Sequence, residues 1–503
     1  MDIIELAKRR GFFWPSSLVY PPIAGLYDYG HIGTMVKRKW EAAWRAFFLG
    51  LDEYYYEISP AVIMPEQVFQ ASGHLEHFVD PVVRCTKCGH TERADHLVEG
   101  VLKEGFEGLP PAELDALIRQ HKITCGKCKG ALAEVGVLNM TFPLKAGTGA
   151  EARQAYLTPE TAQGAYVNFR QMFDVARKRL PLGLAVVGKA FRNEIAPRNA
   201  LVRMREFTQA ELQIFFDPEK QDHPRFAEVA KHKLRILPAG GKEAQDAPCQ
   251  ELANRLFPFY AYHLAKIQEF FLEVLQIPRE RFRFRELSPE ERAFYNRLHW
   301  DIELDLPSLG WKEVGGLHYR GDHDLARHQE VSKEKMTITE DGRSFIPHVL
   351  EISLGVDRNL YALLDVCAQE EAGRAVIRFP RGFAPFDAAI FPLVNKDGLP
   401  DQAREIKQRL QQAGFSVFYD ASGSIGRMYR RMDEIGGPAC ITVDHQTLQD
   451  RTVTLRDRDT MGQVRIPLQE LAKALRSFLD GVALEKLGTP LAKSPSRREA
   501  DDE

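Results

Sequence analysis

The stretch that decides the fold is Leu184–Phe216, which reads LAVVGKAFRNEIAPRNALVRMREFTQAELQIFF. Side chains of a β-strand point alternately to its two faces. The second half of the stretch alternates in this way, and Glu206 and Thr208 interrupt its apolar face. The pattern predicts a strand whose polar face carries Arg203, Arg205, Phe207, Gln209, Glu211 and Gln213.

The first half of this stretch, AVVGKAFRNE, also has strand character and places Arg192 and Glu194 on a shared face. IAPRNA, between the halves, holds the Pro and Asn of a connecting loop. An antiparallel pair would bring Arg192, Glu194, Arg203, Phe207 and Glu211 together. Alternating charges more often form a surface salt-bridge ladder. An aromatic ring among arginines, however, is a flat platform for a nucleobase.

A second stretch, His348–Leu364, predicts a strand, a glycine and a helix in succession. Glu351 and Ser353 share one face of the strand, and Gly355 removes the side chain where the strand ends. A flat ligand can lie against the glycine backbone while Arg358, in the first helical turn, reaches a phosphate. A plain strand-to-helix turn with a solvent-facing arginine is the other interpretation.

A third stretch, TPETAQG, predicts the start of a helix. Thr158 can cap a helix that opens with Pro159, and Glu160 then lies in the first turn. Alone, this pattern indicates a well-capped helix and no specific function.

Composition excludes several classes of protein. The 503 residues contain 67 Lys and Arg against 70 Asp and Glu, and the net charge of −3 excludes a uniformly basic surface for coating nucleic acid. No apolar run reaches the length of a membrane span, and acids stand where a secretory signal has its basic end. We therefore expect a cytoplasmic protein. Seven cysteines are too few for a disulfide scaffold in a chain of this length.

The C-terminal part predicts a separate α/β domain over residues 385–487. Short strands alternate with helices there: Phe386–Leu393, Pro400–Ala413, Phe415–Tyr419, Ile425–Ile435, Ala439–Val443 and Thr452–Leu455. A Pro- and Gly-rich boundary lies at Phe379–Pro385. Gly488–Glu503 is polar and charged, and we expect a disordered tail.

The preceding residues, 1–380, are too many for one simple domain, and two stretches look like insertions into a common core. The first is Leu75–Gln154, which contains two CxxC pairs. The second is Pro218–Pro289, in which RLFPFYAYHLAKIQEFFLEVL has apolar residues on all sides and predicts a buried helix.

Several of these segments carry a family resemblance. FRNE followed by RMREF resembles the second signature motif of class II aminoacyl-tRNA synthetases, GVDR resembles the third, and TPETAQG resembles a segment near their amino-acid pocket. Within this class, the chain most resembles the glycyl-tRNA synthetase family. The segments that carry this resemblance are RRGFFWPSS, GLYDYG, RNEIAPRN, REFTQAELQIFF, GWKEVGGLHYRGDHDL, HVLEISLGVDR and SGSIGRMYRRMDEIGGPACITVD.

The resemblance implies an α+β fold: a class II antiparallel-sheet catalytic core with inserted subdomains, followed by a C-terminal α/β anticodon-binding domain. It implies a homodimer that attaches glycine to the 3' end of tRNA(Gly) through a glycyl-adenylate made from ATP with Mg²⁺. Arg192 and Arg358 would be the catalytic residues, because two anions must be brought together without a protein nucleophile.

The resemblance also implies the residues of the two small-molecule sites. ATP would contact Arg192, Asn193, Glu194, Val202, Arg203, Phe207, Glu313, Val314, Glu351, Gly355 and Arg358. Among these, Glu194 would accept a hydrogen bond from the adenine amino group, Phe207 would stack on the adenine ring, and Glu313 would bind Mg²⁺. Glycine would contact Arg93, Glu160, Phe207, Glu211, Glu351 and Ser353. Clustered carboxylates repel one another and suit the ammonium group.

Other functions remain open at this point. A threonyl, prolyl or histidyl enzyme would share the core and the C-terminal domain. A non-catalytic synthetase-like protein would use the fold to bind nucleic acid, and would be free to lose the arginines and acids together. A zinc-ribbon nucleic-acid-binding protein would explain the cysteines and leave the strand pair unexplained.

Two further features concern tRNA and metal. Arg427, Arg430 and Arg431 share one face of the helix Ile425–Ile435 and suit tRNA phosphates, although a solvated helix face is the simpler interpretation. Cys85, Cys88, Cys125 and Cys128 can supply four thiolates to a structural Zn²⁺. The 36 residues between the pairs exceed the spacing of a compact ribbon, although a helix at Pro111–Gln120 can fill the gap. Four reduced cysteines without metal are the alternative.

Overall fold

The structure, a computed structural model, describes residues 2–103, 106, 108–292, 296–371 and 373–491. Within these residues, nine strands form the sheet at the centre of the larger domain. In chain order they are β1 (Tyr55–Glu57), β2 (Leu182–Phe191), β3 (Glu206–Phe216), β4 (Lys233–Leu237), β5 (Gln245–Pro248), β6 (Phe282–Glu286), β7 (Leu298–Leu306), β8 (Gly310–Gly321) and β9 (His348–Gly355).

The strands lie in the order β5-β4-β6-β7-β8-β9-β3-β2-β1. Neighbours are antiparallel except in the pairs β1–β2 and β4–β6. The predicted strand pair is present as β2 and β3, although β3 begins at Glu206 and leaves Arg203 and Arg205 in the preceding loop. The antiparallel core predicted from the family resemblance is therefore confirmed.

Helices cover this sheet: α1 (His31–Phe48), α2 (Ala162–Val175), α3 (Pro258–Glu269) and α4 (Val356–Cys367). Leu212 and Ile214 of β3 share one buried cluster with Trp40 and Trp44 of α1. The opposite face of β3 carries its polar side chains, and α2 covers part of that face beside β2. The apolar half of the alternation thus fixes the sheet on its helices and leaves the polar half toward a cavity.

The stretch Pro218–Pro289 is built into this domain and does not form a separate inserted body. It supplies β4, β5 and β6 to the sheet, and α3 packs in the main core. The helix is buried as predicted, and its continuation Phe270–Val274 is a π-helical turn whose first ring, Phe270, meets Trp40 edge-on. These strands are not among the predicted elements because the stretch is rich in charged residues.

The cysteine-rich stretch, in contrast, has a small core of its own. Its strands Val79–Arg84, Thr91–Arg93 and Gly136–Asn139 form a separate sheet. Helices Ala94–Leu102 and Pro111–Gln120 pack on that sheet, the latter with the predicted bounds. We call Val79–Asn139 the cysteine-rich insertion. Ile63–Pro65, Phe142–Ala146 and Arg153–Leu157 form a further small sheet at its base.

The C-terminal domain is a mixed sheet with helices on both faces. In the described part of the chain its six strands are β10 (Ala388–Pro392), β11 (Val417–Tyr419), β12 (Ala439–Val443), β13 (Thr452–Asp457), β14 (Gln463–Pro467) and β15 (Thr489–Pro490). Its helices include α5 (Leu399–Gln412), α6 (Ile425–Ile435) and α7 (Leu471–Leu479). Strand β14 and helix α7 have no counterpart among the predicted elements. β15 lies within Gly488–Glu503, which is predicted as a disordered tail; residues 492–503 of that tail lie outside the described residues.

The two domains share an apolar boundary. Met428 and Met432 of α6 belong to the same buried cluster as Phe379 and Phe383 of the connection between the domains. Asp433, buried beside them, binds Arg374 and Arg456. Deletion of the C-terminal domain would expose this surface, so point substitutions are the cleaner test of its function.

Shorter elements complete the fold. The helices are Ile3–Arg10, Glu66–Ala71, His74–His77, Phe226–Val229, Cys249–Leu256, His323–Ser332 and His445–Asp450, and the two-stranded sheets pair Phe13–Pro15 with Tyr27–Tyr29, Ile338–Glu340 with Arg343–Phe345, and Ala368–Glu371 with Arg374–Ile377. Among the helices of the described ranges, none has the length and apolar character to cross a membrane.

Candidate active site

A cavity of about 840 Å³ lies over the polar face of the central strands. Its wall contains every residue predicted for the two small-molecule sites except Arg93 and Asn193: Glu160, Arg192, Glu194, Val202, Arg203, Phe207, Glu211, Glu313, Val314, Glu351, Ser353, Gly355 and Arg358. Residues far apart in sequence thus converge on one space.

Strand register arranges the floor of this cavity in two rows that run across the sheet. Cα partners in adjacent strands form the first row, Asp301–Gly316–Ser353–Glu211, and the second, His299–His318–Glu351–Gln213. Because residues in register point to the same face, each row is a line of neighbouring polar groups, and the first row has a gap at Gly316.

Glu211, in the first row, is buried and accepts hydrogen bonds on both oxygens. Ser353 Oγ and Gln209 Nε2 donate to Oε1 at 2.6 and 2.9 Å, and Thr161 Oγ1 donates to Oε2 at 2.7 Å. Burial, with the negative charges of Glu351 and Glu160, raises the pKa of Glu211 to about 8. Burial and these two charges therefore favour the protonated acid.

Glu351, in the second row, faces cationic and neutral donors. Gln213 Nε2 donates to Oε2 at 2.8 Å, Arg320 Nη1 lies 3.3 Å from Oε2, and His318 Nδ1 contacts Oε1. Burial alone would raise the pKa of Glu351, but the charge of Arg320 and the hydrogen bond with His318 lower it to about 2. Glu351 is thus an ionised partner within a buried network.

Glu160 completes the group of acids from the segment before α2. Gln163 Nε2 donates to its Oε1 at 2.9 Å, and His74 Nε2 lies 3.6 Å from its Oε2. Burial opposes ionisation, yet His74 and Arg320 together lower the pKa of Glu160 below its usual range.

The segment that carries Glu160 differs locally from its prediction. The helix α2 begins at Ala162, three residues later than expected, and Thr158 does not cap it. The Thr158 hydroxyl donates to the carbonyl oxygen of Glu160, and the Thr161 hydroxyl is used by Glu211. Contacts with the sheet thus override the local capping signal.

Arg192 lies at one side of the cavity between two aromatic rings. Its guanidinium carbon is 5.3 Å from the ring centre of Phe207 and 5.4 Å from that of Phe78. Its Nε donates to the carbonyl oxygen of Pro159 at 3.0 Å. These contacts hold the guanidinium group next to the proposed platform for a base.

The other two arginines are paired with acids at the cavity wall. Arg203 Nε donates to Glu194 Oε2 at 2.7 Å. Arg358 Nη1 lies 3.1 Å from Glu313 Oε2, and Arg358 Nε donates to the carbonyl oxygen of Val202 at 2.9 Å. Both arginines are partly exposed, so an anionic ligand can reach them.

Arg93 and Asn193 take supporting positions. Arg93 is buried at the base of the cysteine-rich insertion, where it lies 3.0 Å from Asp80 Oδ1 and pairs with Asp95. The charge of Asp80 interacts with both Glu194 and Arg203. The backbone N–H of Asn193 donates to Met140, at the other end of the insertion, at 2.7 Å.

The residues predicted for tRNA divide into two groups. Arg427 and Arg430 are exposed on α6. Arg431, in contrast, is partly buried and donates from Nε to Asp420 Oδ2 at 2.8 Å. The described helix therefore presents two of the three arginines to solvent.

The four predicted cysteines converge. Their sulfur atoms all lie within 4.8 Å of one another, with Cys85 and Cys128 at 3.5 Å and Cys88 and Cys125 at 3.8 Å. Four sulfurs at these separations match the edges of a tetrahedral thiolate site. The long spacing between the pairs is bridged by two helices of the insertion.

Sequence reasoning missed several residues of the site: His74, Phe78, His299, His318 and Arg320. Arg320 had a local signal, because Asp324 stands four residues later and binds it with two hydrogen bonds of 2.7 and 2.8 Å. His299 and His318 meet through strand register, which the sequence does not display.

Two family models match the chain. Residues 148–367 match "tRNA synthetase class II core domain (G, H, P, S and T)", and residues 387–478 match "Anticodon binding domain". A solved structure titled as the RNA binding domain of threonyl-tRNA synthetase from Cryptosporidium parvum Iowa II covers 95% of this chain and 98% of its own, with a TM-score of 0.59 and 18% identity. The fold and the site together define a class II aminoacyl-tRNA synthetase.

Curated relatives narrow this class. The chain is 40% identical to "Glycine--tRNA ligase" of Aeropyrum pernix, over 97% of this chain and 98% of the relative. It is 38% identical to the proteins of the same name in Thermococcus gammatolerans and Pyrococcus horikoshii, over 95% of this chain and 98% of each relative. The chain belongs to the glycine–tRNA ligase family.

The raised pKa of Glu211 generates a prediction about stability. Between pH 5 and 8, roughly, folded protein holds a proton on Glu211 that the unfolded chain releases, so this group makes stability fall as pH rises. Glu211→Gln removes the titration and should melt a few degrees above the unsubstituted protein at pH 8, with the difference shrinking toward pH 5.

Thermal melting monitored by circular dichroism across this pH range measures the difference. Glu206→Gln, which removes a half-exposed carboxylate at the start of the same strand, is the matched control. A constant difference between Glu211→Gln and the unsubstituted protein at all pH values would contradict the assignment.

Proposed function

We propose that the protein attaches glycine to the 3' end of tRNA(Gly), using ATP and a glycyl-adenylate intermediate. The observation that carries the proposal is the group of buried acids Glu160, Glu211 and Glu351, beside Ser353. Acids taken out of water together suit a small cation, and the ammonium group of an amino acid is such a ligand. The full-length likeness to glycine–tRNA ligases supports glycine as that amino acid.

Arginines at the cavity wall would perform the activation step. The carboxylate of glycine attacks the α-phosphorus of ATP, which forms the glycyl-adenylate and releases pyrophosphate, so charge on both anions must be neutralised while the groups are aligned. Arg192 holds the α-phosphate and the glycine carboxylate, Arg358 holds the γ-phosphate, and Arg203 steadies the triphosphate. Arg203 and Arg358 would exchange their acid partners, and Arg192 its carbonyl partner, for phosphate oxygens.

The remaining wall suits the adenosine part of ATP. Phe207 stacks on adenine and Glu194 accepts from its amino group. The backbone of Val202, Val314 and Gly355 borders the nucleotide. Arg358 and Asn359 tie these backbone segments together, through hydrogen bonds of 2.9 Å to the carbonyl oxygens of all three. The binding surface is therefore rigid before ATP arrives, which reduces the entropy cost of binding.

Mg²⁺ would accompany ATP at Glu313. This carboxylate stands half-exposed at the cavity wall and is of the oxygen type that Mg²⁺ prefers. When bound, the ion would neutralise charge on the phosphates. Asn193 and Arg93 would act through the backbone and through Asp80, respectively, rather than by touching the ligand.

The threonyl alternative receives less support. A catalytic zinc in the pocket would need a cysteine there, and the described cavity wall contains none. A non-catalytic role is also less consistent, because Arg192, Arg358 and the three acids are all present and converge. We propose further that the protein works in the cytoplasm as a homodimer, as the family resemblance implies.

ATP–pyrophosphate exchange with each of the twenty amino acids tests the function. Glycine should support exchange, whereas threonine, proline and histidine should not. Arg192→Ala and Arg358→Ala should lower exchange by about 10²-fold or more without loss of folding, because each removes a charge-assisted phosphate contact. Arg409→Ala, an exposed arginine on α5, is the control. Robust exchange with another amino acid and none with glycine would refute the proposal.

The exposed face of α6 is proposed to bind tRNA phosphates through Arg427 and Arg430. A double substitution of these residues to Ala should weaken tRNA binding and reduce the salt slope of log K by about 1.5 to 2, with glycine exchange unchanged. Arg404→Ala combined with Arg409→Ala, on α5, provides a charge-matched control. Equal losses in the two double variants would indicate a non-specific effect of charge.

The four cysteines are proposed to bind a structural Zn²⁺. Four protein ligands leave no open position for substrate, so the ion would stabilise the cysteine-rich insertion. Protein purified without chelator should contain about one equivalent of zinc and melt at a lower temperature after chelation.

Metal analysis and melting check this prediction. Cys88→Ser should lose zinc, whereas Lys127→Ser, beside the second cysteine pair, should retain it. Less than about a tenth of an equivalent of zinc, with melting unchanged by chelator, would remove the metal from this site.

A further inference from the structure

The second polar row contains two histidines that the proposed chemistry does not use. His299 of β7 and His318 of β8 are Cα partners, and His318 is in turn the partner of Glu351 in β9. The row therefore leads from the outer part of the cavity wall directly to one of the acids proposed to hold the ammonium group.

Contacts along this row, and from His299 to Asp301 of the first row, form a continuous series of polar side chains. His318 Nδ1 contacts Glu351 Oε1, His318 Nε2 lies 3.0 Å from His299 Nε2, and His299 Nε2 lies 3.0 Å from Asp301 Oδ1. Glu351 is ionised and can only accept, so His318 must carry its proton on Nδ1. His318 Nε2 is then an acceptor that His299 Nε2–H satisfies when both rings are neutral.

A glycine provides the space for this pair. A Cβ atom at position 316 would lie 2.4 Å from His318 Nε2 and 3.3 Å from His299 Nε2. The close contact involves ring atoms fixed by hydrogen bonds on both sides, so a larger residue would force the rings apart. The absence of a side chain at Gly316 in the first row thus leaves the space that the rings of His318 and His299 occupy.

Each element that packs against Glu351, His318 and His299 carries charged groups near them. Arg320 of β8 and Glu160, before α2, lie beside Glu351. Arg285 of β6 lies 3.4 Å from Asp301, and the charge of Glu313 reaches His299. Asp301 and Arg285 anchor the far end, so the orientation of His299 is set from outside the acid group.

We propose that His318 is a positioning residue for amino-acid capture, and that His299 and Asp301 fix its orientation. The inference rests on the proposed function. The Nδ1–H bond of His318, together with Arg320 and Gln213, holds the Glu351 carboxylate in one orientation and so fixes its negative charge where the ammonium group is proposed to bind. A second proton on the imidazole pair would place a cation beside Glu351 in competition with the ligand, and glycine binding should weaken at low pH.

Steady-state ATP–pyrophosphate exchange, measured from pH 6 to 8.5, tests this role. His318→Ala should raise the KM for glycine by about tenfold or more, while the KM for ATP and kcat stay within about twofold. His318→Asn places an amide N–H near the position of Nδ1 and should restore the glycine KM to within about threefold. His299→Ala should leave the fold intact and flatten the rise of the glycine KM at low pH.

Two controls keep the outcomes distinct. His445→Ala, on the exposed helix of the C-terminal domain, should match the unsubstituted protein throughout. Absence of glycine-dependent exchange in the unsubstituted protein would overturn the proposed function itself. Glycine exchange in that protein, with an unchanged glycine KM in His318→Ala, would overturn the positioning role alone. Equal changes in both KM values with no rescue by Asn would also overturn it.

Discussion

The acidic site depends on a buried guanidinium group, that of Arg320. Its side chain is 3% exposed and binds Asp324 through two hydrogen bonds. It also lies 3.3 Å from Glu351 and 3.8 Å from Glu160. Burial of unpaired carboxylates costs several kcal/mol each. The charge of Arg320 therefore permits Glu160 and Glu351 to remain ionised in the folded protein, while Glu211 holds a proton.

This distribution of charge explains how the site can select a small amino acid. Arg320 lies beside Glu351 and Glu160, whereas Glu211 accepts hydrogen bonds from neutral groups such as Ser353. An ammonium group bound as proposed would bring a cation to Glu211 and favour release of its proton. A side chain in place of a glycine hydrogen would lie among charged groups and compete for this space. A methyl group discriminates by only about 1 to 3 kcal/mol in an apolar pocket, whereas displaced polar contacts add to that figure.

Sequence reasoning found the parts of the site that depend on local pattern. Alternation placed Glu211 and Phe207 on one face, and the strand, glycine and helix around Gly355 positioned Arg358. His299, His318 and Arg320 were missed because their roles arise from register between strands that are distant in sequence, and a bulge at Ile302/Glu303 shifts that register.

The same limit explains the errors in the fold. Strands β4 to β6 lie in a charged stretch and are recognised as part of the sheet only through their partners. The helix after Thr158 starts later than its capping signal because the Thr158 hydroxyl donates to the carbonyl oxygen of Glu160, and Thr161 is bound to the sheet through Gln209 and Glu211. In each case, contacts between elements distant in sequence decide the secondary structure where local sequence signals are weak or compete.

The cysteine-rich insertion joins the site at both of its connections. Before its first strand, His74 faces Glu160 and the ring of Phe78 contacts Arg192. After its last strand, Met140 makes two backbone hydrogen bonds. Its carbonyl oxygen accepts a hydrogen bond from the N–H of Asn193, and its N–H donates one to the carbonyl oxygen of Phe78. The two connections thus contact each other as well as Glu160, Arg192 and Asn193. Folding of the insertion and alignment of Arg192 with Glu160 are consequently linked equilibria, and anything that stabilises the folded insertion also favours the aligned site.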